Sequence, residues 1–525
     1  MLYKRRSWLF VSLSLLIVAG LLIGCAAPTP TPTPVPTPAP TPAPTAQPTA
    51  KYIFLFIGDG LGVAQRNAAE LYLAATTKPG ARPEEAKLLM NTFPSQGMNT
   101  TYDLTSVIPD SASTATALAT GFKTSSGTIN MDPKHTTKYQ AITEVAKSKG
   151  WKVGVISSVS LDHATPAAFY GHQSSRKNMY ELCMELATSN FDYFAGGQML
   201  KPKKEGQPNA IETAKANGFT VVTNRADFEK LTPGVGKVIA MSAAVDEDGA
   251  MYYEVDRPYA QEYVTLSEYV RKGIELLNNP MGFFMVVEGG KIDWACHAND
   301  AAASIHDTLA LDAAVAEAFK FYQQHPNETL IIVTGDHETG GMSIGFAGTQ
   351  YSTFVDKIQY QKMSYIEFTE KLAEYKKSHT LENAKLEDLL PLIQDAFGLS
   401  VLSKEERAAL AEKAKADKEA AKKLGMTLSD LEAGVVEQAF VETMKDAKIR
   451  SKDDYTYLMY GGYEPLAVKL TTILNQKAGI SWTSYSHTGV PVQTSAIGVG
   501  HEKFNGYYDQ TDIHKKMMAI AGFDK

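Results

Sequence analysis

Short apolar runs alternate with helical patterns along much of this chain. Residues with helical spacing lie between several of the runs, at Ser111–Thr120, Lys177–Thr188, Tyr263–Asn278 and Ile305–Gln323. Continuously apolar strands separated by helices are typical of a mostly parallel sheet covered on both faces. The pattern therefore predicts an α/β fold, a three-layer α/β/α sandwich around a mostly parallel sheet. The runs predicted to be buried strands are Tyr52–Ile57, Val153–Ser157, Phe191–Ala195, Phe219–Val222, Phe283–Val287 and Leu330–Val333.

The pattern changes between residues 353 and 459. Lys404–Lys423 and Leu428–Ala447 are rich in Ala, Glu and Lys at helical spacing, so this stretch is predicted to be a helical insertion. Strand-like sequence returns at Val492–Val499, and a last helix is predicted near Asp512–Ile520. We therefore assign residues 51–352 and 460–525 to the two parts of the α/β domain, with the insertion between them.

The N-terminal residues are predicted to be a targeting segment. Basic residues at positions 4–6 precede the apolar run Trp8–Ile23, which is short for a membrane span and has the layout of a secretory signal. The run leads into Leu22-Ile23-Gly24-Cys25, which resembles a bacterial lipoprotein processing box. We expect residues 1–24 to be removed and Cys25 to carry lipid. The alternative is an uncleaved signal anchor.

Residues 25–50 are predicted to join the lipidated Cys25 to the globular domain. Proline stands at nearly every second position from Pro28 to Pro48, a composition that favours polyproline II and cannot build a core. A spacer is the favoured interpretation, with a PxxP ligand for a partner module as the alternative. These features predict an extracytoplasmic protein that is lipid-anchored to a bacterial membrane.

Composition narrows the choice of function. Of the 525 residues, 44% are hydrophobic and 21% charged, which argues against a largely disordered chain. The formal charge is −7 and no Lys/Arg block stands out, so no nucleic-acid-binding surface is expected. The three cysteines, Cys25, Cys183 and Cys296, exclude a disulfide scaffold and a Cys-rich zinc module. Any zinc must be held by His and carboxylates, and a Cys183–Cys296 disulfide stays open.

Polar residues follow three of the predicted strands. Asp59 comes after Tyr52–Ile57, Glu288 directly after Phe283–Val287, and Asp336 with His337 after Leu330–Val333. One Asp after a strand is usually a helix cap. Three such placements indicate a site, because ligands in parallel sheets bind outside the carboxyl ends of the strands.

Further candidate ligands complete a metal-binding set. Asp293 and His297 are four residues apart, so a helical turn would put both on one face. His487 supplies another imidazole. Each histidine alone is more often structural, but together with the strand-end residues the donors suffice for two or three metal ions.

Ser111 is the candidate nucleophile. It opens a run of small residues, Ser111–Ala117, that leads straight into a predicted helix. An N-cap serine is the ordinary interpretation of such a position. The free N–H groups of a helix start also favour an anion, and a metal that lowers the serine pKa would let it attack phosphorus. No Gly-x-Ser-x-Gly elbow, Rossmann glycine pattern or second zincin histidine is present at these motifs.

These motifs together resemble those of the alkaline phosphatase family. They occur in the family's order between Ile53 and about Val499. The matching segments are Phe56-Ile57-Gly58-Asp59-Gly60, Pro109-Asp110-Ser111-Ala112, His163-Ala164-Thr165-Pro166 with Ser175-Arg176, Glu288-Gly289-Gly290-Lys291-Ile292-Asp293-Trp294 with His297, Val333-Thr334-Gly335-Asp336-His337-Glu338, and His487-Thr488-Gly489.

The resemblance implies an alkaline-phosphatase-like fold and a phosphomonoesterase with a serine nucleophile. It implies hydrolysis of small phosphate monoesters to alcohol and inorganic phosphate, through a phosphoserine at a site with two Zn²⁺ and one Mg²⁺. Arg176 would bind two phosphate oxygens. The resemblance is compatible with a homodimer. The implied ligands are Asp293, His297 and His487 for the first zinc, Asp59, Asp336 and His337 for the second, and Asp59, Thr165 and Glu288 for magnesium.

Two positions depart from one branch of the family. His163 and Trp294 stand where some members carry Asp and Lys, so the identity of the third metal is open. His163 would either touch that metal or orient a water. A phosphodiesterase or sulfatase of the same superfamily is the nearest rival, and a lipid-anchored binding protein without catalysis is the rival of another class.

Overall fold

The computed structural model describes residues 49–77, 83–446 and 450–524. The predicted signal peptide, Cys25 and nearly all of the proline-rich spacer lie outside these residues. Ala50 is buried, and its backbone N–H donates to the carbonyl of Ile520 at 3.0 Å. Within the described ranges, no helix combines the length and the apolar character that crossing a bilayer requires.

A ten-stranded sheet forms the middle layer of the fold. Four further short strands, β9 to β12, lie outside this sheet. In chain order the strands of the described residues are β1 (Tyr52–Gly58), β2 (Ser95–Thr100), β3 (Lys152–Ser157), β4 (Tyr193–Gly196), β5 (Phe219–Val222), β6 (Lys237–Met241), β7 (Phe283–Gly289), β8 (Thr329–Gly335), β9 (Glu338–Thr339), β10 (Ser343–Ile344), β11 (Ile480–Ser481), β12 (His487–Thr488), β13 (Val492–Gly498) and β14 (Gly506–Asp509). The sheet order is β14-β2-β13-β8-β1-β7-β3-β4-β6-β5, and the short strands pair separately as β10-β11 and β12-β9. In the large sheet only β13 runs antiparallel to its neighbours.

Helices cover both faces of the sheet. They are α1 (Val63–Thr77), α2 (Ser111–Thr120), α3 (Ile142–Ser148), α4 (Ala164–Ala167), α5 (Met179–Thr188), α6 (Ala210–Ala216), α7 (Arg225–Glu229), α8 (Leu266–Leu277), α9 (Lys291–His297), α10 (Ala301–Gln324), α11 (Tyr365–Lys376), α12 (Leu386–Phe397), α13 (Lys404–Ala414), α14 (Lys418–Gly425), α15 (Asp430–Met444), α16 (Asp454–Tyr460), α17 (Pro465–Ala478) and α18 (Thr511–Ala521).

The alternation of side chains along β1 explains the two helical layers. Phe54 and Phe56 point into one hydrophobic cluster, which the sheet shares with α1, α8, α10 and α17. Ile53, Leu55 and Ile57 point into the other, shared with α2, α3, α5 and α18. Successive residues of a strand face opposite sides, so a continuously apolar strand must be covered twice. The predicted three-layer fold with a mostly parallel sheet is confirmed.

The register of three central strands positions the site. Gly58 at the end of β1 lies opposite Gly289 of β7 and Gly335 of β8, and Ile57 lies opposite Glu288. The carboxyl ends of the three parallel strands therefore stop at one level. Asp59 and Asp336 follow at once, beside Glu288.

Most predicted elements are confirmed, with small shifts at their ends. The strand β2 was not predicted, because its sequence, Ser-Gln-Gly-Met-Asn-Thr, has little apolar character. The strand β6 and the helix α1 were also missed. The predicted helical stretch at residues 404–423 forms two helices, because the side chain of Asp417 caps a new helix start at Lys418.

The cysteines do not form the disulfide left open above. Cys183 and Cys296 are buried free thiols. The Cys183 thiol donates to the carboxylate of Asp162 at 3.3 Å, and the sulfur of Cys296 lies 3.3 Å from the hydroxyl of Ser304.

Candidate active site

Three groups of predicted ligands meet at the carboxyl edge of the sheet. Sets of ligand atoms that lie within 4.8 Å of one another come from Asp293, His297 and His487, from Asp59, Asp293 and His337, and from Asp59, His163 and Glu288. Asp59, His163 and His337 follow β1, β3 and β8, whereas Glu288 lies in β7, Asp293 and His297 in α9, and His487 in β12.

The first group is Asp293, His297 and His487. The Nε2 atoms of the two histidines lie 3.1 Å apart, and one oxygen of Asp293 lies 3.3 Å from Nε2 of His297. Each histidine directs its Nδ1 at a backbone carbonyl at 2.7 Å, that of Tyr485 for His297 and that of Pro109 for His487. A carbonyl only accepts, so Nδ1 carries a proton, and when the ring is neutral, as a metal ligand must be, its lone pair is on Nε2. Both lone pairs and the carboxylate converge on one point, as ligands of a cation do.

The second group surrounds His337, which is fully buried. Its Nε2 lies 3.3 Å from the carboxylate of Asp59, 3.4 Å from that of Asp336 and 3.2 Å from the hydroxyl oxygen of Ser111. Ser111 is the first residue of α2, and the side chain of Asp110 caps that helix by accepting from the N–H of Ser113. The candidate nucleophile therefore lies beside the acidic group and at the positive end of a helix.

The third group is Asp59, His163 and Glu288, and Thr165 lies beside it. The hydroxyl of Thr165 donates to Asp59 at 3.3 Å, and Ser157 at the end of β3 donates to Glu288. His163 precedes α4 and offers a ring nitrogen near both carboxylates.

Arg176 lies at the entrance of the site, where its side chain is 27% exposed. It donates to Asp110 at 3.1 Å and to Nε2 of His163 at 2.9 Å. Asp110 thus caps the helix of Ser111 and also holds Arg176 next to it. Trp294 packs edge-on against His163, with 6.0 Å between ring centres, and the ammonium of Lys291 covers its face.

The site holds more negative charge than its own residues can balance. Asp59, Glu288 and Asp336 are completely buried. Burial raises the pKa of Glu288 to about 7 and, with neighbouring carboxylates, that of Asp336 to about 8 and that of Asp59 well above its usual range. Buried carboxylates need a partner.

Two carboxylate oxygens have no such partner. Across the described part of the chain, Oδ1 of Asp59 and Oε1 of Glu288 accept no hydrogen bond. Carboxylates, imidazoles and hydroxyls are ligands of divalent cations. Such cations would give the unpartnered oxygens a partner and would bind where the histidines converge.

The pKa of Asp293 is shifted in the opposite direction to the pKa values of Asp59, Glu288 and Asp336. Burial alone would raise its pKa, but His297, His487 and His337 around it lower the pKa of Asp293 well below its usual range. Asp293 therefore stays ionised in the middle of the site.

All the predicted site residues are close to this edge of the sheet, and the sequence did not indicate several of their neighbours. Thr339 donates to Asp293, and Thr114 donates to Asp336 at 3.1 Å. Thr339 lies two residues after His337, which is the only signal that could have indicated it. His172, four residues before Arg176, lies away from the ligands, with its Nε2 3.0 Å from the carbonyl of Tyr139.

Comparison with known proteins gives one consistent result. The family model described as Alkaline phosphatase matches residues 50–194 and 188–523. Alkaline phosphatase 3 of Bacillus subtilis is 28% identical over 486 residues, covering 90% of this chain and 89% of that relative. The tissue-nonspecific isozyme of Gallus gallus is 31% identical over 338 residues, covering 55% of this chain and 63% of its own length.

Solved structures agree with the fold. The cold-active alkaline phosphatase of the psychrophile Shewanella sp. superposes with a TM-score of 0.69 at 26% identity, covering 90% of this chain and 99% of its own. The alkaline phosphatase of Thermus thermophilus has a TM-score of 0.71 at 22% identity, covering 91% and 93%, and shares the fold.

The chain belongs to the alkaline phosphatase family. It is a phosphatase of a metal-dependent family whose members hydrolyse phosphate monoesters, and its candidate ligands lie at the edge of the sheet where the register brings them together.

Removing the cations with EDTA should make stability depend on pH. Without cations Glu288 and Asp336 titrate near pH 7 and pH 8, against about 4 in an unfolded chain. At these two carboxyl groups the folded chain then binds more protons than the unfolded chain from about pH 5 to pH 8. The free energy of unfolding should therefore fall as pH rises through this window, by about 1.4 kcal/mol per pH unit for each proton.

Urea unfolding at a series of pH values, with and without cations, measures this effect. With cations bound the carboxylates stay ionised, so the slope should be much smaller. Equal slopes in the two series would show that cations do not balance these carboxylates.

Proposed function

We propose that this phosphatase transfers the phosphoryl group of a small monoester to Ser111, at a site that holds two Zn²⁺ and one Mg²⁺. The single observation that carries the proposal is the position of the Ser111 hydroxyl. It lies at a helix start, 3.2 Å from Nε2 of His337 and beside two buried carboxylates. A serine there needs no histidine base if a cation lowers its pKa.

The ligand assignment comes from the family motifs and overlaps the three groups, with Asp336 in place of Asp293 in the second group and Thr165 in place of His163 in the third. Asp293, His297 and His487 would hold the first zinc, and Asp59, Asp336 and His337 the second. Asp59, Thr165 and Glu288 would hold magnesium. When bound, these ions would supply Lewis-acid stabilisation of negative charge on the attacking and leaving oxygens.

The chain's own residues then account for the rest of the reaction. The Ser111 oxygen forms a bond to phosphorus while the bond to the alcohol breaks, and water later releases inorganic phosphate. The helix start favours the negative charge on the phosphoryl group. Arg176 can turn its planar fork to two phosphate oxygens, because it lies at the entrance and is already held by Asp110.

His163 fits a role in orienting a water near the third cation. Burial, with Arg176 beside it, lowers the pKa of His163 to about 3, so its ring is neutral. Arginine only donates, so the Nε2 that accepts from Arg176 carries the lone pair and Nδ1 carries the proton. With Arg176 in this position, the protonated Nδ1 can donate to a water beside the third cation.

Replacing Ser111 with Ala should abolish the covalent phosphoenzyme and lower kcat by several powers of ten, with the metal content unchanged. Ser113→Ala is the matched control. Its hydroxyl, two residues further along α2, donates to Asp103 and to the carbonyl of Asp110. Acid-quench labelling with a ³²P monoester and elemental analysis measure both effects. Near-wild-type turnover in Ser111→Ala would contradict the mechanism.

Replacing Arg176 tests monoester selectivity. A monoester offers free oxygens to a bidentate fork, whereas a diester replaces one of them with a bulky group. Arg176→Ala should lower kcat/KM for monoesters, by an amount that corresponds to a loss of about 2–4 kcal/mol in transition-state binding. The kcat/KM for diesters should fall much less. Arg176→Lys should recover only part of the loss, because an ammonium lacks the planar fork.

The measurement is kcat/KM for a matched monoester and diester in the wild type and both variants. Equal losses of kcat/KM on the two substrates, or a fully active Arg176→Lys variant, would show that Arg176 does not bind two phosphate oxygens. Either result would favour a phosphodiesterase.

We also propose that the phosphatase is lipid-anchored through Cys25 on the outer side of a bacterial membrane. The support is the sequence Leu22-Ile23-Gly24-Cys25 followed by the proline tract. Cys25→Ala should abolish labelling by a radioactive fatty acid and block processing of the precursor. A chain that begins at Pro48, just before the fold, should be fully active without lipid. Lipid labelling of Cys25→Ala would refute the anchor.

A further inference from the structure

We propose that a cavity beside α17 binds a small organic anion with a flat apolar body. The cavity has a volume of about 260 Å³ and lies between α17 and the segment Ile480–Tyr485. This is smaller than the pockets that take drug-sized ligands, which begin at about 300 Å³, so one ring with one acidic group is the fitting size. The inference does not depend on the reaction proposed for Ser111.

The charge of the lining selects an anion. Lys469 belongs to the lining, and no Asp or Glu does. Its side chain is only 9% exposed. Over the residues that the structure describes, its ammonium makes no hydrogen bond or ion pair, and its one recorded contact is with the ring of Tyr460 at 5.4 Å.

A cation that is largely withdrawn from water and has no counter-ion is costly, and an anion beside it would remove part of that cost. Burial, with no carboxylate to oppose it, lowers the pKa of Lys469 to about 8. At pH 7 the group is still protonated and available to an anion.

The rest of the lining suits an apolar body. Leu458, Ile480 and Trp482 supply apolar surface. The indole N–H of Trp482 and the side-chain oxygen of Asn475 are buried and have no hydrogen-bond partner in the described ranges. These two atoms have almost no surface open to the cavity, so a ligand would meet the apolar side chains and Lys469.

The cavity is distinct from the catalytic groups but shares a segment with them. The carbonyl of Tyr485 accepts from His297, and the carbonyl of Ser484 accepts from Asn299 at 2.8 Å. Both Ser484 and Tyr485 line the cavity. A ligand there would contact the segment that orients a predicted metal ligand, without touching the metal site.

Benzoate is the probe, titrated by calorimetry into the metal-loaded chain at pH 7. We expect one site per chain, with benzamide and acetate each binding at least about tenfold more weakly, because one lacks the charge and the other the ring. Lys469→Met should weaken benzoate binding by about tenfold or more. Lys418→Met, which removes an exposed lysine of α14, should leave it unchanged.

Thr472→Phe provides a second variant that keeps Lys469 and fills the cavity, so it should also abolish binding. Thermal unfolding and turnover check that each variant is folded. Absence of benzoate binding in the wild type would overturn the proposal. Equal affinity in the wild type and both cavity variants would also overturn it, because the benzoate would then bind elsewhere, for instance at the catalytic metals.

Discussion

The constraint on which this structure depends is the shared level at which β1, β7 and β8 end. Parallel pairing places Gly58, Gly289 and Gly335 side by side, and the acidic residues at these strand ends are then buried next to one another. Carboxylates in such a place repel each other and have lost their water. The fold can keep them ionised only if cations lie between them. The family's metal dependence is therefore a requirement of the sheet as well as of the chemistry.

The hydrogen bonds behind the ligands prepare them for those cations. Backbone carbonyls of Tyr485 and Pro109 fix the tautomers of His297 and His487, so that both rings present a lone pair to the same point. On the other side of the site, Asp110 caps α2 and also holds Arg176. One residue thus links the start of α2, the helix of the proposed nucleophile Ser111, to Arg176, the group proposed to bind the phosphate.

Much of this could be predicted from the sequence, for physical reasons. The strands β1, β7 and β8 are apolar throughout because they are covered on both faces, and their acidic ends stand out against that background. The strand β2 could not be predicted, since Ser95–Thr100 sits near the sheet edge and carries mostly polar residues. The contact between Arg176 and Asp110 joins residues 66 apart, and no local pattern encodes it. The same holds for Ser157 with Glu288, which depends on the strand register.

Anomalous X-ray diffraction from crystals of the metal-loaded chain, collected on both sides of the zinc absorption edge, tests the central claim most directly. The account predicts one zinc peak between Asp293, His297 and His487 and a second between Asp59, Asp336 and His337. Crystals with full activity but no anomalous peak at either position would contradict it, because the buried carboxylates would then be balanced in another way.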